Sequence, residues 1–123
     1  MSLKKLIFFV TSGPANPSQA TRAFRFAKTA HAEGLPAEVR LAGEAVLFAR
    51  TQEFAALPSD SPLREHMQAV MDTPEIKVTL CPVSAQRHVL TKEHLVHPRF
   101  EFKYLAKVLR EVSEGSAEFI YLG

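Results

Sequence analysis

The sequence predicts an α/β domain of three layers, α/β/α, built on a mainly parallel sheet of five strands. Three observations predict it. Runs rich in β-branched and aliphatic residues alternate with helical stretches in the order βαβααβαβαβ, and such alternation implies a parallel sheet with helices on both faces. The first run, residues 3–11, is almost continuously apolar with Lys4 and Lys5 at its mouth, which suits a strand covered on both faces. A length of 123 residues fits one domain with its own core, and no repeat, low-complexity segment or linker divides residues 1–123.

The elements follow in order. Residues 11–15 form a loop. Asn16-Pro17-Ser18-Gln19 reads as a helix start, with Asn16 as cap and Pro17 at the first position. Ala20, Ala23, Phe24, Ala27 and Ala30 then recur at helical spacing until Gly34. Residues 35–42 read as the second strand, with Val39 and Leu41 on one face. Gly43 turns the chain into a short helix, residues 44–50. Residues 52–61, polar and proline-containing, are expected to be a mobile connection. Ser61-Pro62 starts another helix by the same cap-plus-proline logic, with an apolar stripe of Leu63, His66, Met67, Val70 and Met71. His66 lies within that stripe and reads as a partly buried packing residue. Thr73-Pro74 stops the helix.

Ile76, Val78 and Leu80 alternate with Lys77 and Thr79 and read as the central strand. Pro82 cannot donate to a sheet ladder but suits the first position of a helix, so strand, sharp turn and helix meet at Cys81. That helix runs to residue 90, residues 91–94 add one turn, and Pro98 breaks it. Residues 99–103 read as a short strand with Phe100 and Phe102 facing one way. Residues 104–112 form the last helix, with Leu105, Val108, Leu109 and Val112 inward. Gly115 ends it, and residues 118–122 close the sheet.

Cys81 is the only cysteine, which excludes an internal disulfide and a zinc site built from cysteines alone. In open α/β sheets, chemistry gathers at the carboxyl ends of strands, and helix N–H groups there stabilise a thiolate, the reactive form. A small buried hydrophobe is the competing reading of Cys81. Residues Thr11, Ser12 and Gly13 lie between a strand and a helix start, a place suited to an anion, although no Gly-x-Gly-x-x-Gly or Walker pattern supports a nucleotide. A metal held by Cys81 with His88, His94 or His97 is weaker, because Val96 and Pro98 interrupt the turn that would pair the last two. No cofactor is implied. The net charge of +2, on scattered basic residues, gives no footprint for nucleic acid. No run approaches a membrane span, and the apolar stretch 6–10 is too short for a secretory signal. The expected compartment is a reducing cytoplasm.

Four stretches together resemble the DsrE/DsrF-like (YchN-like) family of sulfur-relay proteins. They are Leu6-Ile7-Phe8-Phe9-Val10-Thr11-Ser12-Gly13-Pro14 with the alanine-rich helix after it, Leu41-Ala42-Gly43-Glu44-Ala45-Val46-Leu47, Val78-Thr79-Leu80-Cys81-Pro82-Val83-Ser84-Ala85, and Leu90-Thr91-Lys92-Glu93-His94-Leu95. The resemblance covers nearly the whole chain. It implies a cytoplasmic subunit that assembles into homo-oligomers, trimers or hexamers, and a cysteine that accepts persulfide sulfur and passes it to a partner protein. That role maps onto Cys81. Ser12, Gly13, Gly43 and Ser84 are candidates for holding the substrate or an anion, and Arg87 or His88 for adding positive charge. Some relatives carry a second cysteine and this chain has none, so sulfur on Cys81 would leave to a thiol elsewhere. The alternative is a non-catalytic oligomeric module that binds a small ligand or a protein, with Cys81 merely packed. Phe100, Phe102 and Tyr104 crowd one segment and are the expected interface.

Overall fold

Every strand pairs in parallel with its neighbours. The structure, a computed structural model, describes residues 3–123; Met1 and Ser2, included in the single-domain reading, lie outside the described residues. Strands β1 (Lys5–Val10), β2 (Ala37–Leu41), β3 (Lys77–Leu80), β4 (Glu101–Phe102) and β5 (Ala117–Tyr121) make one sheet in the order β4-β3-β2-β1-β5. The expected α/β architecture is therefore present. The strand leading to Cys81 is not central, however: β2 occupies the middle, and all five of its residues are buried.

Register sorts the side chains onto two different faces. Phe8 and Val10, Val39 and Leu41, and Val78 and Leu80 share one face. They pack in the main core with Ala20, Ala23, Phe24 and Ala27 of α1 (Ser18–Ala32) and Leu63, Met67 and Val70 of α3 (Pro62–Met71). Alanines let α1 lie close to the sheet. Phe24, fully buried among them, contributes about 1.5–3 kcal/mol by burial. The opposite face carries Lys5, Ile7 and Phe9, Glu38 and Arg40, and Thr79. It is covered by α5 (Leu105–Ser113), which buries only Val108, against Ile7 and Ala117. One face is thus apolar and the other mixes apolar with charged residues.

Several local expectations need correction. Asn16 does not cap α1. Its N–H is used in a turn to the Gly13 carbonyl, and the helix starts at Ser18 with no side-chain cap. Ser61 does cap α3, accepting from the Arg64 N–H at 3.4 Å. The stretch after Gly43 is a 3-10 helix, Gly43–Ala49, and residues 52–61 are not all loop, because α2 (Thr51–Ala56) occupies the first part. Arg64 lies over the Phe54 ring at 4.9 Å and donates to the Leu57 carbonyl at 2.8 Å, which ties this stretch to α3. His66 is half-buried, as expected, with Nδ1 3.2 Å from Lys28 Nζ. Phe100 is core, 1% exposed, so it is no surface contact. Leu105 and Leu109 face outward instead of inward.

Candidate active site at Cys81

Cys81 is the single residue between β3 and α4 (Pro82–Arg87). Its N–H donates to the Leu41 carbonyl at 2.9 Å and its backbone is extended. The ladder between β2 and β3 therefore runs one residue past β3. Pro82 then ends the ladder, and the Cys81 carbonyl accepts from the Ala85 N–H as the first helical bond. Two positions after Thr79 in this extended run, Cys81 lies on the charged side of the sheet.

The thiol is partly exposed. Burial alone would raise its pKa. The Ser84 hydroxyl, the N–H groups of Ser84 and Val83 and the Arg40 guanidinium outweigh that and hold it below the ordinary thiol range. In the resting structure Cys81 Sγ makes no capping bond, so these groups act on the charged form. Ser84 is well placed to do so. Its Oγ accepts from the Gly43 N–H at 2.8 Å, which leaves the hydroxyl hydrogen free to donate toward sulfur.

Gly43 takes a positive φ of 56°, and a Cβ there would meet the Thr11 carbonyl oxygen at 3.3 Å. Only glycine turns the chain there without strain. Gly13 has its own reason: a Cβ would stand 2.6 Å from Glu44 Cβ. Gly13, Gly43, Ser84 and Cys81 thus lie along the carboxyl ends of β1, β2 and β3. Ser12 sits in the same row, but its N–H and that of Thr11 both donate to the Gly123 carbonyl, so neither amide is free for an anion.

Arg87 is exposed and His88 half-buried, its carbonyl accepting from Arg50 Nη2 at 2.8 Å. Neither is among the groups that hold the thiol down; α4 carries them past the sulfur. His94 Nδ1 accepts from the Thr91 N–H, and His97 Nδ1 from the Arg99 N–H. Among the described residues, no group of three or more His, Cys, Asp or Glu is placed to hold a metal ion.

Sequence reading missed Arg40 and Glu38. Glu38 is fully buried. Its Oε1 accepts from Lys5 Nζ at 2.7 Å and from Lys103 Nζ at 3.3 Å, and its Oε2 from Thr79 Oγ1 at 2.8 Å. Glu111 of α5 joins both lysines, at 3.0 and 2.9 Å. Burial tends to raise the Glu111 pKa, but Lys103 and Lys5 hold it down. Burial likewise works against charge on Lys5, and Glu38 and Glu111 reverse it and raise its pKa.

Beside the cysteine, an apolar groove of about 500 Å³ follows α4, lined by Pro82, Ala85, Val89, Leu90, Phe102 and Tyr104 among others. Val89, 74% exposed, holds a φ of 54° just past α4, a strained geometry for a β-branched residue.

The DsrE/DsrF-like family model matches residues 4–117. The chain is a member of the DsrE/DsrF-like family. Its fold matches that of the ychN protein of E. coli with a TM-score of 0.78, at 12% identity, over 97% of this chain and 99% of that one. MTH1491 of Methanobacterium thermoautotrophicum, a protein of unknown function, gives a TM-score of 0.73 at 12% identity, over 96% and 98%. BT1422 of Bacteroides thetaiotaomicron, a conserved protein of unknown function, gives 0.62 at 13% identity, over 96% and 94%. No curated protein matches the chain. These likenesses establish the fold of this DsrE/DsrF-like protein. Among the described residues, no helix is long and apolar enough to cross a membrane.

Proposed function

We propose that this DsrE/DsrF-like protein is a sulfur carrier: Cys81 takes up sulfane sulfur as a persulfide and passes it to a thiol on a partner. One observation supports this above the others. The only cysteine stands partly exposed at the carboxyl edge of the sheet, among groups that favour its thiolate. The Cys81 thiolate attacks the outer sulfur of a persulfide R–S–S–H. The Sγ–S bond forms, the R–S bond to that sulfur breaks, R–S⁻ leaves, and the hydrogen stays on the transferred sulfur. A second thiolate repeats the step on the Cys81 persulfide and restores the Cys81 thiolate. Neither step needs an oxidant, and neither needs a second cysteine in the chain. The reading places the protein in a reducing cytoplasm, where a lone thiol persists.

The test is sulfur uptake by native protein with and without prior alkylation of Cys81 by a neutral reagent. The carrier reading expects uptake only without alkylation. Equal uptake in both would refute it. Uptake in neither would favour the non-catalytic binding module, for which the groove along α4 is the supporting feature.

Self-association belongs to the same proposal. Leu105, Leu109 and Tyr121 are 46%, 49% and 63% exposed on and beside α5, and Phe9, Leu105, Phe119 and Tyr121 line an apolar cleft of about 320 Å³. This strip supports a contact between copies of the chain, a trimer or hexamer. Leu109→Asp is expected to lower the mass seen by sedimentation while leaving the fold intact. An unchanged mass removes this strip as the interface.

A further inference from the structure

The charged residues beneath α5 do not balance. Among the described residues, Lys5, Arg40 and Lys103 supply three cations against two carboxylates, Glu38 and Glu111. The two lysines take both carboxylates. Among the described residues Arg40 is in no ion pair within 4 Å; it is 1% exposed and makes one side-chain bond, from Nη1 to Thr79 Oγ1 at 3.4 Å. Its Nε has no hydrogen-bond partner among the described residues. A buried guanidinium stays charged at any pH a protein meets, and burying it without an anion is costly. An orphaned donor of this kind therefore asks what completes it.

Geometry identifies the candidate. Arg40 stands opposite Thr79 in the β2–β3 register. Cys81 follows Thr79 by two residues on the same side, joined to β2 through the Leu41 carbonyl. The remaining ionisable groups on this face are Lys77 and Glu101, both exposed to solvent; Tyr121 on β5 is engaged by Thr11 Oγ1 at 2.9 Å. Burial works against the Arg40 charge, and the Cys81 thiolate first and Glu38 second attract it.

We propose that Arg40 is the positioning residue of the Cys81 site, and that the cluster's missing negative charge is an anion on Cys81: first the thiolate, and after sulfur uptake the persulfide anion, whose proton goes to solvent. The second half rests on the carrier reading; the first does not. A site of this kind selects anionic sulfur donors over neutral ones.

The experiment follows the alkylation rate of Cys81 against pH in the wild type, Arg40→Lys and Arg40→Met, with sulfur uptake from inorganic polysulfide measured on the same samples. Arg40→Met is expected to move the midpoint up toward that of the unfolded chain and to slow the reaction at pH 7 roughly threefold or more, while Arg40→Lys keeps the midpoint low. An unmoved midpoint in folded Arg40→Met overturns the proposal. Should Arg40→Met not fold, the wild type decides. The ratio of its rates with anionic iodoacetate and neutral iodoacetamide is expected to rise several-fold over the same ratio in urea, and no rise overturns the proposal. Absence of uptake by the wild type would count against the carrier reading alone, because the pH profile still judges Arg40.

Discussion

Glu38→Ala is expected to lose about 3–5 kcal/mol of stability, the largest effect of any single substitution outside the apolar core. Glu38 is fully buried and answers three groups: Lys5 at 2.7 Å, Lys103 at 3.3 Å and the Thr79 hydroxyl at 2.8 Å. Removing the carboxylate leaves Lys103, itself buried, and Lys5 with Glu111 as their only anion among the described residues. The cost comes from cations stranded in low dielectric more than from the Coulomb energy of the pairs themselves. Glu111 is the contrast. Its side chain keeps a quarter of its surface in water, so Glu111→Ala is expected to cost far less. Thermal unfolding measures both. At about 4 °C per kcal/mol for a domain of this size, Glu38→Ala should melt ~10–20 °C below the wild type. A loss no greater than that of Glu111→Ala would mean that the buried charges are solvated by some other route.

The second large effect lies in the titration of Cys81. Its thiol is expected to react with iodoacetamide along a pH profile whose midpoint lies below that of the unfolded chain. The sign follows from the site. Burial opposes ionisation, but the Ser84 hydroxyl, two N–H groups and Arg40 favour the thiolate more strongly. For each pKa unit of lowering, the thiolate fraction near pH 7 rises about tenfold while its nucleophilicity falls about threefold, for a net gain of about threefold. The same shift links pH to stability. A group whose pKa is depressed by folding stabilises the native state above the unfolded pKa, and that contribution fades as pH falls through the native midpoint. The stability difference between wild type and Cys81→Ala should therefore widen as pH rises. A native midpoint at or above that of the unfolded chain would show a packed, unreactive cysteine.

Much of this arrangement is legible in the sequence, and the exceptions share physical causes. Strand and helix types follow from residue periodicity, and the turn at Cys81 follows from Pro82. Glu38 and Arg40 escaped notice because alternation with Ala37, Val39 and Leu41 reads as a strand with one wet face. The signal available was topological: the middle strand of a parallel sheet is covered on both sides, so charges on it must be paired or must be waiting for a partner. Sequence order does not reveal spatial order, and the strand before Cys81 could not be told from the middle one. Helix α5 misled for the opposite reason. Leu105 and Leu109 carry the pattern of an inward stripe, yet they face outward because Glu111 and Val108 are the residues turned to the sheet. Arg87 and His88 are close to Cys81 along the chain, whereas Arg40, far along the chain but adjacent through the β2–β3 ladder, supplies the positive charge.

The most direct measurement is the intact mass of the native protein after incubation with a persulfide donor and removal of the excess, beside Cys81→Ala treated in the same way. A gain of one or more sulfur atoms is expected on the wild type alone, and its loss when a thiol is added. No gain on the wild type, or an equal gain on Cys81→Ala, would contradict the assignment of Cys81 as the sulfur-carrying residue.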